Sequence, residues 1–153
     1  MITLEIIEAY QTLVAPQPLE ETAKTALQQQ SAPEDADLTI VITDDEQLRQ
    51  LNHAYRDIDA STDVLSFPAD FTDPESDLPY LGDILISFER AEAQAAAAGH
   101  ATIAELQLLV THGVLHLLGH DHADPAEKAR MWSAQSEILR QLGLENLPIT
   151  GDE

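Results

Sequence analysis

Four of the six histidines fall within eleven residues, in the segment Thr111-His112-Gly113-Val114-Leu115-His116-Leu117-Leu118-Gly119-His120-Asp121-His122. His112 and His116 are four apart in an apolar, helix-forming stretch. On a helix they project from one face, a turn apart, as two ligands of one ion do. Gly119 is free to take a positive φ, end the helix and fold the chain back, which would bring His122 beside the first two. Three neutral imidazoles around an open fourth position form a catalytic zinc set rather than a structural one. An ion held this way lowers the pKa of a bound water to about 7, so the segment predicts a zinc-dependent hydrolase with one zinc per chain. Unrelated histidines in such an apolar helix would each cost about 1–3 kcal/mol without a partner, which favours the metal reading.

The spacing H-x-x-x-H-x-x-G-x-x-H equals that of the metzincin proteases, which carry a glutamate directly after the first histidine as general base. Here that place is Gly113, which moves no proton. A metzincin-like protease is thus an alternative that has the metal and lacks the base. His120 reads as an exposed turn residue, with a donor role beside the metal or a proton-carrying role as alternatives. Asp121 is placed either to accept the free N–H of a ligand or to cap the turn. Glu105 is best explained by a helix cap, Met131 by the core, and His53 and His100 by solvated surface. Arg56 is the only Lys or Arg between positions 50 and 89. On composition alone it reads as a cation facing a helix C-terminus, and Thr62-Asp63 as a turn before a strand.

The elements that must position these groups are legible in outline. Residues 2–7 alternate and read as a strand. Pro16 and Pro18 open a helix that ends in the polar run SAPEDAD. Residues 38–42, LTIVI, read as a buried strand. Thr43-Asp44-Asp45-Glu46 reads as a capping box for a helix reaching about Arg56, with Leu48, Leu51 and Tyr55 on one face. Residues 63–67 form a short strand candidate, residues 68–79 a surface loop rich in proline and acids, and residues 80–87 a further strand. A helix over about 88–98 stops at Gly99. Thr102-Ile103-Ala104-Glu105 reads as a second capping box, opening a buried helix that ends at Gly119. Asp124-Pro125-Ala126-Glu127 caps a last helix to about Gln141, closed by Gly143. Together these predict one α/β (α+β) domain over 1–153, with a small mixed sheet of about four strands packed with about five helices.

Composition narrows the setting. The 153 residues carry a formal charge of -21 with only seven Lys and Arg, so the surface as a whole repels polyanions and membranes. With no cysteine, disulfides, thiolate metal sites and a cysteine nucleophile are excluded. The N-terminus lacks the basic and apolar regions of a signal peptide, and no apolar run is long enough to span a bilayer. A soluble, cytoplasmic chain is the expectation. The acidity is explained by solubility or by a salty or acidic setting.

Three segments in order, LNHAYRDIDASTDVLSFP, LGDILIS and HGVLHLLGHDH, resemble the signatures of the YbeY family. The resemblance runs from about Leu38 to Leu142. That family comprises bacterial single-domain metallo-endoribonucleases of rRNA maturation and ribosome quality control. The resemblance implies zinc on His112, His116 and His122. It also implies a functional arginine, matched by Arg56, in a cleft beside the metal, and a small mixed sheet packed with helices. His120 departs from the family, where an aromatic tyrosine is common, and the acidity is extreme for an enzyme acting on RNA. The expected reaction is hydrolysis of a phosphodiester in single-stranded RNA, including the 3′ end of 16S rRNA. His112, His116, His122 and Arg56 are the expected catalytic residues. With so few cations, substrate is expected to be concentrated by docking on ribosomal proteins or another basic partner. A non-enzymatic ribosome assembly factor with structural zinc is the remaining alternative.

Overall fold

The structure is a computed structural model describing residues 1–33, 35–72, 74–75, 77–145 and 147. Glu34, Asp73 and Ser76, which belong to two of the polar segments named above, lie outside the described residues. In chain order the elements are β1 (Ile2–Ile6), a 3-10 turn (Glu8–Tyr10), α1 (Pro16–Gln29), β2 (Asp37–Thr43), α2 (Asp45–Arg56), β3 (Val64–Thr72), β4 (Pro79–Ser87), α3 (Phe88–Ala98), α4 (Thr102–Leu117) and α5 (Pro125–Gln141).

The four strands form one mixed sheet in the order β1-β2-β4-β3. β1 and β2 run parallel, as do β2 and β4, while β3 pairs antiparallel with β4. Alternation decides which face is covered. Leu38, Ile40 and Ile42 of β2 and Ile84 and Ile86 of β4 are all fully buried, whereas Thr39, Val41 and Leu85 between them are half-buried. The sealed face packs on Leu19, Ala23 and Ala26 of α1 and on Leu106, Leu109, Val110 and Val114 of α4, with Met131 and Ile138 of α5 in the same core. The α/β expectation holds, with four strands and five α-helices among the described residues. Among them, no helix is long and apolar enough to cross a membrane.

Three local expectations need correction. Thr43 is the last residue of β2, and Asp44 caps α2 instead, its Oδ1 accepting from the Gln47 N–H at 2.8 Å. The inward face of α2 is Leu48 and Asn52, not Leu48, Leu51 and Tyr55, because Tyr55 is 70% exposed. The surface loop expected over 68–79 is shorter than that span, since β3 continues to Thr72 and β4 opens at Pro79. Pro68 is tolerated there because β3 is an edge strand and its register shifts between Pro68 and Phe71.

Candidate functional site

α4 crosses the sealed face of the sheet in close contact. A Cβ on Gly113 would stand 2.6 Å from Ile84 Cγ2 and 3.0 Å from Ile84 Cδ1, so glycine is what lets the helix approach β4 there. Position 113 therefore faces the sheet. A glutamate in its place would be driven into Ile84 rather than toward the histidines, which removes the geometric basis of the protease alternative.

His112 and His116, one position before and three after Gly113, leave the helix on the flank beside that contact and line the neighbouring cleft. His112 is 3% exposed, and its Nε2 lies 3.0 Å from His116 Nε2. Two ligands of one tetrahedral zinc, at 2.0–2.1 Å bonds, stand about 3.3 Å apart. α4 ends at Leu117, and Gly119 follows with φ +98°. The reversal seats the His122 ring with its centroid 5.4 Å from that of His116 and 5.9 Å from that of His112. One nitrogen from each of the three rings lies within 4.8 Å of the other two, so the group could hold a metal ion.

The electrostatics suit that role. Burial pushes the His112 pKa down to about 3, and the neighbouring His116 adds to the shift. His116 is also lowered, first by burial and then by His122. Both rings are therefore neutral at physiological pH, as metal ligation requires. Gln135 Oε1 lies 3.3 Å from His112 Nδ1, where it accepts that ring's N–H and leaves Nε2 to face the cleft. Gln135 was not singled out in the sequence. Its signal is a polar residue at a core position of α5, between the fully buried Met131 and Ile138 and itself 1% exposed.

The opposite wall comes from the middle of the chain. Arg56 is the last residue of α2, and Asp57 follows in the left-handed region at φ 56°, ψ 33°. The Asp57 and Ile58 N–H groups donate to the His53 and Asn52 carbonyls. The buried Asn52 side chain donates to the Ala60 carbonyl at 2.8 Å, which ties the following loop to the helix. This turn places Arg56 in a cleft of about 1160 Å³ shared with His112, His116, His122 and Asp63. Arg56 has no ion-pair partner among the described residues, whereas the cleft's other arginine, Arg90, pairs with Asp45 at 2.9 Å. Asp63 is 7% exposed and accepts from Gln94 Nε2 at 3.2 Å, so it is a wall of the cleft rather than a simple turn residue.

The remaining candidates lie elsewhere or act differently. His120 turns away from the triad and is half-buried, its Nε2 2.6 Å from Gln30 Oε1. Asp121 accepts the backbone N–H of His122 at 2.7 Å, so it fixes the turn rather than a ligand ring. Glu105 caps nothing: the cap of α4 is Ala101, and Glu105 is fully buried with an oxygen 2.6 Å from His100 Nε2. His100 is thus mostly enclosed rather than solvated. Met131 is in the core and His53 is exposed, as expected.

Residues 6–143 match the family model described as Endoribonuclease YbeY. The chain belongs to the YbeY family. Relatives named Endoribonuclease YbeY include a protein of Roseiflexus sp. (strain RS-1), 45% identical over 149 residues covering 94% of this chain and 93% of the relative. Another, from Chloroflexus aurantiacus, is 48% identical over 132 residues, covering 82% and 86%. The solution structure of TM1509 from Thermotoga maritima aligns over all of both chains with a TM-score of 0.58 at 21% identity, which bears on the fold alone.

Proposed function

We propose that this protein is a zinc-dependent endoribonuclease that cleaves single-stranded RNA. The observation that carries the reading is one cleft holding three converging imidazoles and, on its facing wall, an arginine without an ion-pair partner. The endoribonuclease activity for which the family and its relatives are named supports it. An all-imidazole donor set without cysteine suits zinc. Zinc held by His112, His116 and His122 supplies Lewis acidity toward a phosphoryl oxygen. Gln135 holds the His112 ring in the tautomer that ligates. Arg56 grips the scissile phosphate through its planar fork and stabilises the charge that builds up on it. The role in rRNA maturation, including the 16S 3′ end, and in ribosome quality control, within the cytoplasm, rests on the family likeness. The shortage of cations supports docking on ribosomal proteins or another basic partner.

The test is cleavage of a single-stranded RNA by metal-loaded protein, with and without chelator. Chelation and His116→Ala should abolish cutting. Arg56→Ala should slow it by about 100-fold while leaving metal content and thermal stability unchanged. Cleavage that survives both chelation and His116→Ala would end the metal reading. An Arg56→Ala protein of near-full activity would end the role given to Arg56.

A further inference from the structure

Five large apolar side chains stand exposed among the described residues, and two of them, Tyr55 and Ile58, line the metal cleft on either side of Arg56 in the chain. Tyr55 is the more exposed of the two, at 70%, despite its place in α2. It is not loosely held. Its ring meets Phe67 of β3 at a centroid distance of 5.4 Å and an interplanar angle of 66°, and Phe67 also lines the cleft. The Asp57 turn and the Asn52–Ala60 hydrogen bond fix the end of the helix that carries it. An aromatic ring kept in solvent beside a phosphate-gripping arginine is a surface prepared for another flat ring.

Charge argues for the same occupant. The chain carries -21, and Asp63 and Asp121 stand in the cleft itself. A run of phosphates is repelled there, and Arg56 is the one cleft cation without an ion-pair partner among the described residues. A nucleobase is uncharged and meets no such penalty. We propose that Tyr55, backed by Phe67, stacks the base of a nucleotide adjoining the phosphate held by Arg56. The platform also explains a preference for single strands, because a base within a duplex has both faces covered by its neighbours. The inference rests on the nuclease reading of the same cleft and adds to it the residue that selects unpaired RNA.

The experiment uses the metal-loaded full chain, Tyr55→Ala, Tyr55→Phe and Tyr55→Trp, with a single-stranded RNA and a series carrying one abasic position each. Tyr55→Ala should lower kcat/KM about ten-fold, carried by KM, while Tyr55→Phe and Tyr55→Trp stay near the parent. One abasic position should weaken the parent by a similar factor and add nothing further in Tyr55→Ala. An unchanged KM in Tyr55→Ala overturns the platform, and so does a Tyr55→Phe protein as impaired as Tyr55→Ala. Equal tolerance of every abasic position does the same. Should the parent cut no RNA, the nuclease reading fails on its own. The platform is then judged by fluorescence of 2-aminopurine placed along the RNA: quenching by the parent and not by Tyr55→Ala upholds it, and equal signals overturn it.

Discussion

Replacing Gly113 with alanine probes the close approach of α4 to β4. In an open helix this change stabilises by about 1 kcal/mol. Here the new methyl would stand 2.6 Å from Ile84 Cγ2 and 3.1 Å from Ile84 Cγ1, against an ordinary carbon–carbon contact of about 3.5–4.0 Å. Ile84 cannot step aside. It is fully buried, and Cγ2 is fixed to its Cβ, so relief needs an unfavourable χ1 or a shift of the helix. Overpacking of this kind costs about 1–3 kcal/mol, and the severity of the overlap places it toward the upper end. The net expectation is a loss of about 1–2 kcal/mol, or about 2–8 °C in Tm for a chain of this size. Thermal and urea unfolding of metal-free protein measure it. The decisive arm is the Ile84→Ala background, which removes all three clashing carbons at an initial cost of about 2–5 kcal/mol. There, Gly113→Ala should change sign and stabilise, giving a coupling of about 2–3 kcal/mol. If Gly113→Ala stabilises the parent protein, the packing argument is refuted. Position 113 could then also accept a larger side chain, a glutamate included.

Two further expectations concern residues outside the ligand set. Burial raises the Glu105 carboxyl above its ordinary 4.5, and the hydrogen bond from His100 partly restores it. Because the folded value lies above the unfolded one, the stability tied to the protonated form is complete below about pH 4.5 and is lost as pH rises through the folded value. Glu105→Gln should therefore gain on the parent as pH rises above the ordinary 4.5 in urea unfolding, and a difference that stays constant with pH would contradict it. Asp57 occupies a left-handed position at the negative end of α2, so Asp57→Gly should stabilise by about 0.5–1 kcal/mol, and a destabilised variant would count against the turn described.

What the sequence discloses follows the range of the interactions involved. The helices and the convergence of His112, His116 and His122 are legible because each depends on short spacings: i to i+4 on α4, then one glycine turn. The offsets at Thr43 and Thr102 arise because a capping box can be written one residue away from where tertiary packing starts the helix. β3 outruns its expected end because pairing with β4 holds residues that look like a loop in isolation. The Glu105–His100 contact is hidden for a related reason. Capping explains Glu105 adequately until the burial of its whole helix turn is known. Gln135 and Asp63 are the least accessible of all, since their significance comes only from what α4 and α3 bring beside them.

The two walls of the cleft are contributed by segments far apart in the chain, with Arg56 and Tyr55 on α2 and the imidazoles on and after α4. A chain made from its N-terminus displays the arginine and the aromatic ring long before it has any histidine of the triad. Gln135, which orients His112, comes later still, in α5. A chain that has reached only the end of β4 therefore carries the arginine and the ring with none of the three imidazoles. The cleft is therefore among the last features of the molecule to be completed, assembled only once nearly the whole fold has formed.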